Sequence, residues 1–209
     1  MTRHTQHLTS IAAIAVAALA LSACQPTGDP GGTASGIATT TATSAPTPTT
    51  TPTTATASPE DSAIMAAKEM IPRYFQTGDA SLHDPAKFDR EELKKVAIST
   101  ALDEMQNRVS AFQAQELTGV GGTTVLSMEN PRVDLKLDLK KSPPDVPSVQ
   151  LDVCIDVSKL NVVDKAGKSV IPADRKPRQL WRVGVANYEY PKADAWRVAY
   201  TDTQGGKTC

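Results

Sequence analysis

The sequence predicts an α+β domain, with N-terminal helices packed on a curved antiparallel sheet, behind a long disordered lead. Three observations predict it. Apolar residues recur at helical spacing from Ile64 to Phe112, the period changes to two from Thr123 onward, and every tyrosine, tryptophan and phenylalanine lies at or beyond Tyr74. The chain has 209 residues, with 22 Lys and Arg against 23 Asp and Glu, a formal net charge of -1. Arg3 and Asp29 are the only charged side chains before Glu60. The segment from Glu60 to Cys209 is therefore near neutral by itself, and no nucleic acid or anionic polymer is expected as a partner. Its length suits one domain.

The lead divides at Leu21-Ser22-Ala23-Cys24. Arg3, His4 and His7 precede an apolar run from Ile11 to Leu21, too short for a permanent membrane helix but suited to a signal-peptide core. An aliphatic residue, two small ones and a cysteine match the lipobox of bacterial lipoproteins. Residues 1–23 are thus expected to be a cleaved lipoprotein signal, and Cys24 the lipidated N-terminus that holds the protein on the extracytoplasmic side of the cell membrane. Two acyl chains suffice for stable attachment. With Cys24 modified, Cys154 and Cys209 remain, and an even pair in an oxidising compartment predicts a disulfide.

Residues 24–59 follow as a linker. From Gln25 to Pro59 only Gln25, Asp29 and Ile37 are not Thr, Pro, Ser, Ala or Gly, so no apolar cluster can offset the entropy of ordering. A chain of this composition spans roughly 30 to 110 Å. Thr- and Ser-rich stalks with proline are also O-glycosylation substrates, and a bare linker is the equal alternative.

Ser58, Pro59 and Asp61 predict the start of the first helix, with Ile64, Ala67, Ile71, Tyr74 and Phe75 on one face. Pro72 is expected to kink or end it near Met70, and Gly78 to stop it in any case. Asp89 and Glu92 form a capping pair ahead of Leu93, Val96 and Ala97 and predict a short second helix. Thr100 and Asp103 repeat the signature before the stripe Ile98, Leu102, Met105, Val109 and Phe112, the clearest helical pattern in the chain. Gly119, Gly121 and Gly122 close the helical half.

In the second half, Val133, Leu135, Leu137 and Leu139 alternate with Asp134, Lys136, Asp138 and Lys140, which predicts a strand wet on one face. Pro131 marks a bulge or break between it and Thr123 to Met128. After the turn at Pro143, Pro144, Asp145 and Pro147, Val149, Leu151, Val153 and Ile155 alternate with Gln150, Asp152, Cys154 and Asp156. Cys154 falls on the polar face, where a C-terminal tail crossing the outside of the sheet could reach it. Val162-Val163 and Val170-Ile171 flank a turn at Asp164 to Gly167 and predict a small hairpin. Leu180 to Tyr190 and Ala195 to Tyr200 predict a larger one, with Trp181, Val183 and Val185 sharing one face and Trp196, Val198 and Tyr200 another. Both tryptophans are expected in the core.

The motifs that carry chemistry are sparse. Gly167-Lys168-Ser169 and Gly206-Lys207-Thr208 lack the earlier glycine of a phosphate loop. Asp152, Asp156 and Asp164 lack EF-hand spacing and suit a solvated strand face. His83, the sole histidine after the leader, sits beside Asp84-Pro85 in a polar stretch and is expected to be solvated. No catalytic residue, metal site or cofactor is assigned.

Three helices followed by a curved antiparallel sheet resemble the nuclear transport factor 2-like fold. The runs Val153-Cys154-Ile155-Asp156-Val157-Ser158, Val162 to Lys168 and the closing Gly-Gly-Lys-Thr-Cys resemble small actinobacterial lipoproteins of that fold, a likeness spanning 60–209. Relatives include ketosteroid isomerases and non-catalytic accessory domains of envelope and secretion systems. The Asp base and Tyr donor of the isomerases match no motif here, so no catalytic residue is carried over. The resemblance implies a cone around an apolar pocket, into which Tyr74, Phe75, Met105 and Phe112 would look; core packing is the competing role for each. The expectation is a non-catalytic binding or interaction module of the cell envelope, whose partner is an envelope protein or an apolar small molecule. The alternative is an isomerase or dehydratase acting on an apolar envelope metabolite.

Overall fold

The computed structural model describes residues Ala57 to Cys209. The signal segment 1–23, the lipidation site Cys24 and nearly all of the 24–59 linker lie outside the described residues. Three helices come first: α1 (Pro59–His83), α2 (Arg90–Lys94) and α3 (Ser99–Ala114), with a 3-10 turn at Pro85–Lys87. Six strands follow: β1 (Thr118–Val120), β2 (Thr124–Asp134), β3 (Ser148–Asp156), β4 (Asn161–Val163), β5 (Arg178–Ala186) and β6 (Arg197–Thr203). The fold is α+β with antiparallel pairing, as the two periodicities predict. The main sheet runs β2-β3-β5-β6, and β1 pairs with β4 in a separate ribbon. Among the described residues no helix is long and apolar enough to cross a membrane.

Ser58 starts α1, its Oγ accepting from the Asp61 amide at 3.0 Å while donating to the Asp61 carboxylate at 2.8 Å. The helix then continues through Pro72 and Gly78, against the expectation that either would end it. Pro72 lies on the exposed side, while Ala67, Ile71, Tyr74, Phe75 and Leu82 are buried on the other. Burial at about 1.5–3 kcal/mol for each large side chain outweighs the ~3 kcal/mol cost of one interior proline. Gly78 lies within the helix where α3 packs closest: a Cβ there would stand 2.5 Å from Met105 Cε.

Asp89 caps the short α2 through the Glu91 amide at 2.8 Å, one residue earlier than the Asp89–Glu92 spacing suggested. The start of α3 departs from the Thr100 and Asp103 signature. Its N-cap is Ile98, without any side-chain cap, and the Ile98 amide donates to Val198 O of β6 at 2.8 Å. Val198 in turn donates to Val96 O at 2.9 Å, so Val96 to Ile98 runs as a short parallel partner along β6 and covers that edge of the sheet. A tertiary hydrogen bond replaces the local cap.

Strand β2 passes through Pro131 as a bulge, with the register slipping between Glu129 and Arg132. It ends at Asp134, opposite Ser148, the first residue of β3. The predicted strand through Leu139 therefore does not form: β3 offers no partner beyond that point, the chain folds back through an Asp138–Asp145 bridge, and Leu137 and Leu139 are exposed. Val149, Leu151, Val153 and Ile155 of β3 pack inward with Val183 and Val185 of β5, against the inner faces of α1 and α3.

A second bulge lies between β5 and β6. Gly184 faces Tyr200 and Val185 faces Val198, so Ala199 is extra. Trp196 and Val198 consequently stay inward, while Tyr200 turns to the outer face and covers Gly184, taking a hydrogen bond from Gln150 Nε2 on its hydroxyl. This corrects the expectation that the three share one face. The small hairpin forms as predicted, with Val170 N donating to Val162 O at 2.9 Å. Asn187, the one fully buried polar side chain among the described residues, is satisfied: it donates to Lys192 O at 2.7 Å and accepts from Glu189 N at 2.9 Å.

Cys154 and Cys209 are bonded, with Cα atoms 5.9 Å apart and a sequence separation of 55. After β6 the tail runs beside β5, where Gln204 N donates to Leu180 O at 3.0 Å and Leu180 N to Lys207 O at 3.1 Å. Cys209 then reaches Cys154 on the outer face, opposite the inward Val153 and Ile155.

Candidate functional site

Where α1 and α3 lie over the ends of β3 and β5, the core is incomplete and leaves a cavity of about 140 Å3. Helical spacing places Tyr74, Phe75 and Leu82 of α1 on its wall, with Gly78 between them, and α3 contributes Met105. Ile155, Val157 and Leu160, from the end of β3 and the turn after it, close the floor. Trp181 of β5 closes the side. Phe75 is the hub of the aromatic wall, meeting Tyr74 edge-on at 5.5 Å and Trp181 at 5.8 Å.

Tyr74, Phe75 and Met105, named from the sequence, thus come together at one cavity. Phe112 does not. It lies two turns beyond Met105 on α3, roughly 10 Å along the axis, and its half-buried ring falls past the end of the cavity. Trp196 is buried in the core, as expected, and meets Tyr190 edge-on at 6.3 Å. Trp181 is only half-buried and faces the cavity instead. Burial pushes the Tyr74 phenol above its ordinary pKa, opposed by the positive charge of Arg108, and its hydroxyl meets Thr201 of β6.

Besides Tyr74, five polar side chains border the cavity, none of them singled out in the sequence as a site residue: Asp79, Arg108, Thr123, Arg175 and Gln179. Four have structural work. Asp79 accepts from the Thr123 amide at 2.6 Å and the Thr123 hydroxyl at 3.1 Å, tying α1 to the start of β2. Arg175 donates to Val157 O at 2.8 Å and also to Leu160 O, holding the turn after β3. Gln179 accepts from Trp181 Nε1 at 3.0 Å and orients the indole. Arg108, three residues after Met105, is exposed at the mouth. Only that spacing could have signalled it, since in sequence Arg108 reads as one more residue of a wet helix face.

The other candidates lie elsewhere. His83 ends α1, exposed, with Nε2 against Gly121 O. Asp152 pairs with Arg182 at 3.3 Å on the outer face. Asp156 accepts from the Ser158 amide at 2.7 Å, and these hydrogen bonds from Ser158 lower its pKa. Asp164 caps the β4 turn through the Ala166 and Lys168 amides, both at 2.9 Å. Among the described residues no group of three or more His, Cys, Asp or Glu is placed to hold a metal ion.

Neither a family model nor a curated protein matches the sequence. Among solved structures, the chain is similar to the intermembrane-space region of the chloroplast protein ARC6, with 11% identity over 66% of this chain and 94% of that one and a TM-score of 0.45. A likeness at that distance says nothing about function.

Proposed function

We propose that the protein is a lipid-anchored extracytoplasmic lipoprotein whose nuclear transport factor 2-like domain is a non-catalytic binding module, taking a small apolar group into the cavity. One observation carries the reading. The cavity wall is mainly apolar and aromatic, and besides Tyr74 four of its five polar side chains are spent on backbone and neighbouring side chains. Such groups hold a shape; a general acid or base needs a free proton-transfer atom facing the substrate. The Leu21-Ser22-Ala23-Cys24 run supports the anchor, and the bonded Cys154 and Cys209 fit an oxidising compartment. Helices on one face of a bulged antiparallel sheet support the cone-shaped fold.

The test has two arms. Protein incubated with envelope lipid extract and examined by native mass spectrometry should carry a one-to-one apolar adduct, and consistently empty protein overturns the binding role. Cys24→Ala should move the chain out of the membrane fraction, and a variant that sediments as wild type does would rule out the anchor.

A further inference from the structure

Arg108 is the charged group at the cavity that nothing occupies. It stands between the cavity and an open groove bordered by Glu104, Asn107, Thr201 and Asp202. Among the described residues it makes no hydrogen bond and no ion pair, although Glu104 lies one turn back on α3 and Asp202 lies across the groove. Those two carboxylates moderate the charge of Arg108 without pairing with it, so its N–H donors stay free for a ligand. At the cavity itself Arg108 and Arg175 stand against Asp79 alone, and both Asp79 oxygens are taken by Thr123. The site is therefore apolar within and carries an unpaired guanidinium at its mouth.

Its size limits the guest. A dry apolar cavity of about 150 Å3 admits one benzene ring, and this one holds about 140 Å3. The edge-on Phe75 and Trp181 rings and the Met105 thioether favour an aromatic guest. The planar fork of a guanidinium suits a carboxylate, bound through two parallel hydrogen bonds.

We propose that the cavity binds a small aryl carboxylate, its ring against Phe75, Met105 and Trp181 and its carboxylate on Arg108. This inference rests on the binding role proposed above and adds the ligand's charge and size.

Phenylacetate and its uncharged isostere phenylacetamide separate the two ideas when titrated calorimetrically into the full-length protein at low salt. Phenylacetate should bind at least about fivefold more tightly, the scale of a partly exposed charge-assisted pair. Arg108→Gln, a change at an exposed position, should bring the ratio close to one. Gly78→Ala should weaken both probes, because the new methyl displaces the Met105 thioether toward the cavity. Equal affinity for the two probes, or a ratio unchanged in Arg108→Gln, overturns the carboxylate assignment and leaves the cavity as an apolar site. Undiminished binding in a folded Gly78→Ala variant places the probes elsewhere and overturns the assignment too. Binding of neither probe to folded wild type overturns this inference, and the adduct from lipid extract then decides the wider binding role by itself.

Discussion

At Gly184 the absence of a side chain is what lets Tyr200 lie flat on the outer face, since a Cβ there would overlap the ring. Tyr200 is also fixed from the far side by Gln150, so the ring has little room to yield. Gly184→Ala should therefore destabilise the domain by about 1–3 kcal/mol, the usual cost of overpacking. In a Tyr200→Ala background most of that cost should vanish, and an undiminished cost in a double-mutant cycle would show that the ring is not the obstacle. Tyr74 carries a different sensitivity. Burial raises its folded pKa above the unfolded value of about 10, so stability is complete below about pH 10 and falls as the pH rises through the folded pKa. Tyr74→Phe loses the contact with Thr201 but cannot ionise. The gap in melting temperature between wild type and Tyr74→Phe should narrow above about pH 10, and a gap that stays constant would mean that the phenol is not desolvated.

Among the elements, α1 carries the largest conflict between local preference and final state. Pro72 removes one helical hydrogen bond, yet the helix continues because its inner face is anchored on both sides of the proline by Ile71, Tyr74 and Phe75. That conflict predicts an unusual stabilisation. Pro72→Ala should raise stability by about 2 kcal/mol, the ~3 kcal/mol helix penalty less the ~1 kcal/mol of entropy that proline removes from the unfolded chain. Chemical denaturation gives the value directly, and a loss of stability would show that the ring makes contacts that matter more than the missing hydrogen bond. At α3 the reverse holds, since its start depends on β6 and not on a side chain. The Ser99 and Thr100 hydroxyls are dispensable there, whereas the Ile98 amide is bound to the strand at 2.8 Å.

Over the whole molecule, the disulfide is the covalent tie, joining the end of the chain to a central strand. Closing a loop of 55 residues constrains the unfolded chain by about 4 kcal/mol in the chain-entropy model, a large share of the 5–15 kcal/mol of a typical domain. Cys209→Ser should lower denaturant stability by about 2–4 kcal/mol. It should also free the tail from Gln204 onward, which holds to β5 through Leu180 and otherwise carries no large apolar group. Hydrogen exchange at the Leu180 and Gln204 amides reports the second effect, and continued protection there in the variant would show that backbone pairing alone holds the tail.

Local chemistry and short periods determined the order of elements, the Ser58 cap, the inward row of β3 and the pairing of the only two cysteines left after Cys24. These were legible because each depends on neighbours within one turn or two strand positions, or on a count. What the tertiary structure decided are the features set by distant partners. The length of α1 through Pro72 depends on the core beneath it, and the end of β2 at Asp134 on where β3 begins. The start of α3 is set by β6, and the outward turn of Tyr200 by a one-residue bulge. The cavity belongs to the same class. Tyr74, Phe75 and Met105 could be read from helix faces, but Arg108 and Trp181 join them only because α3 and β5 meet there, and no spacing within either element encodes a meeting between the two.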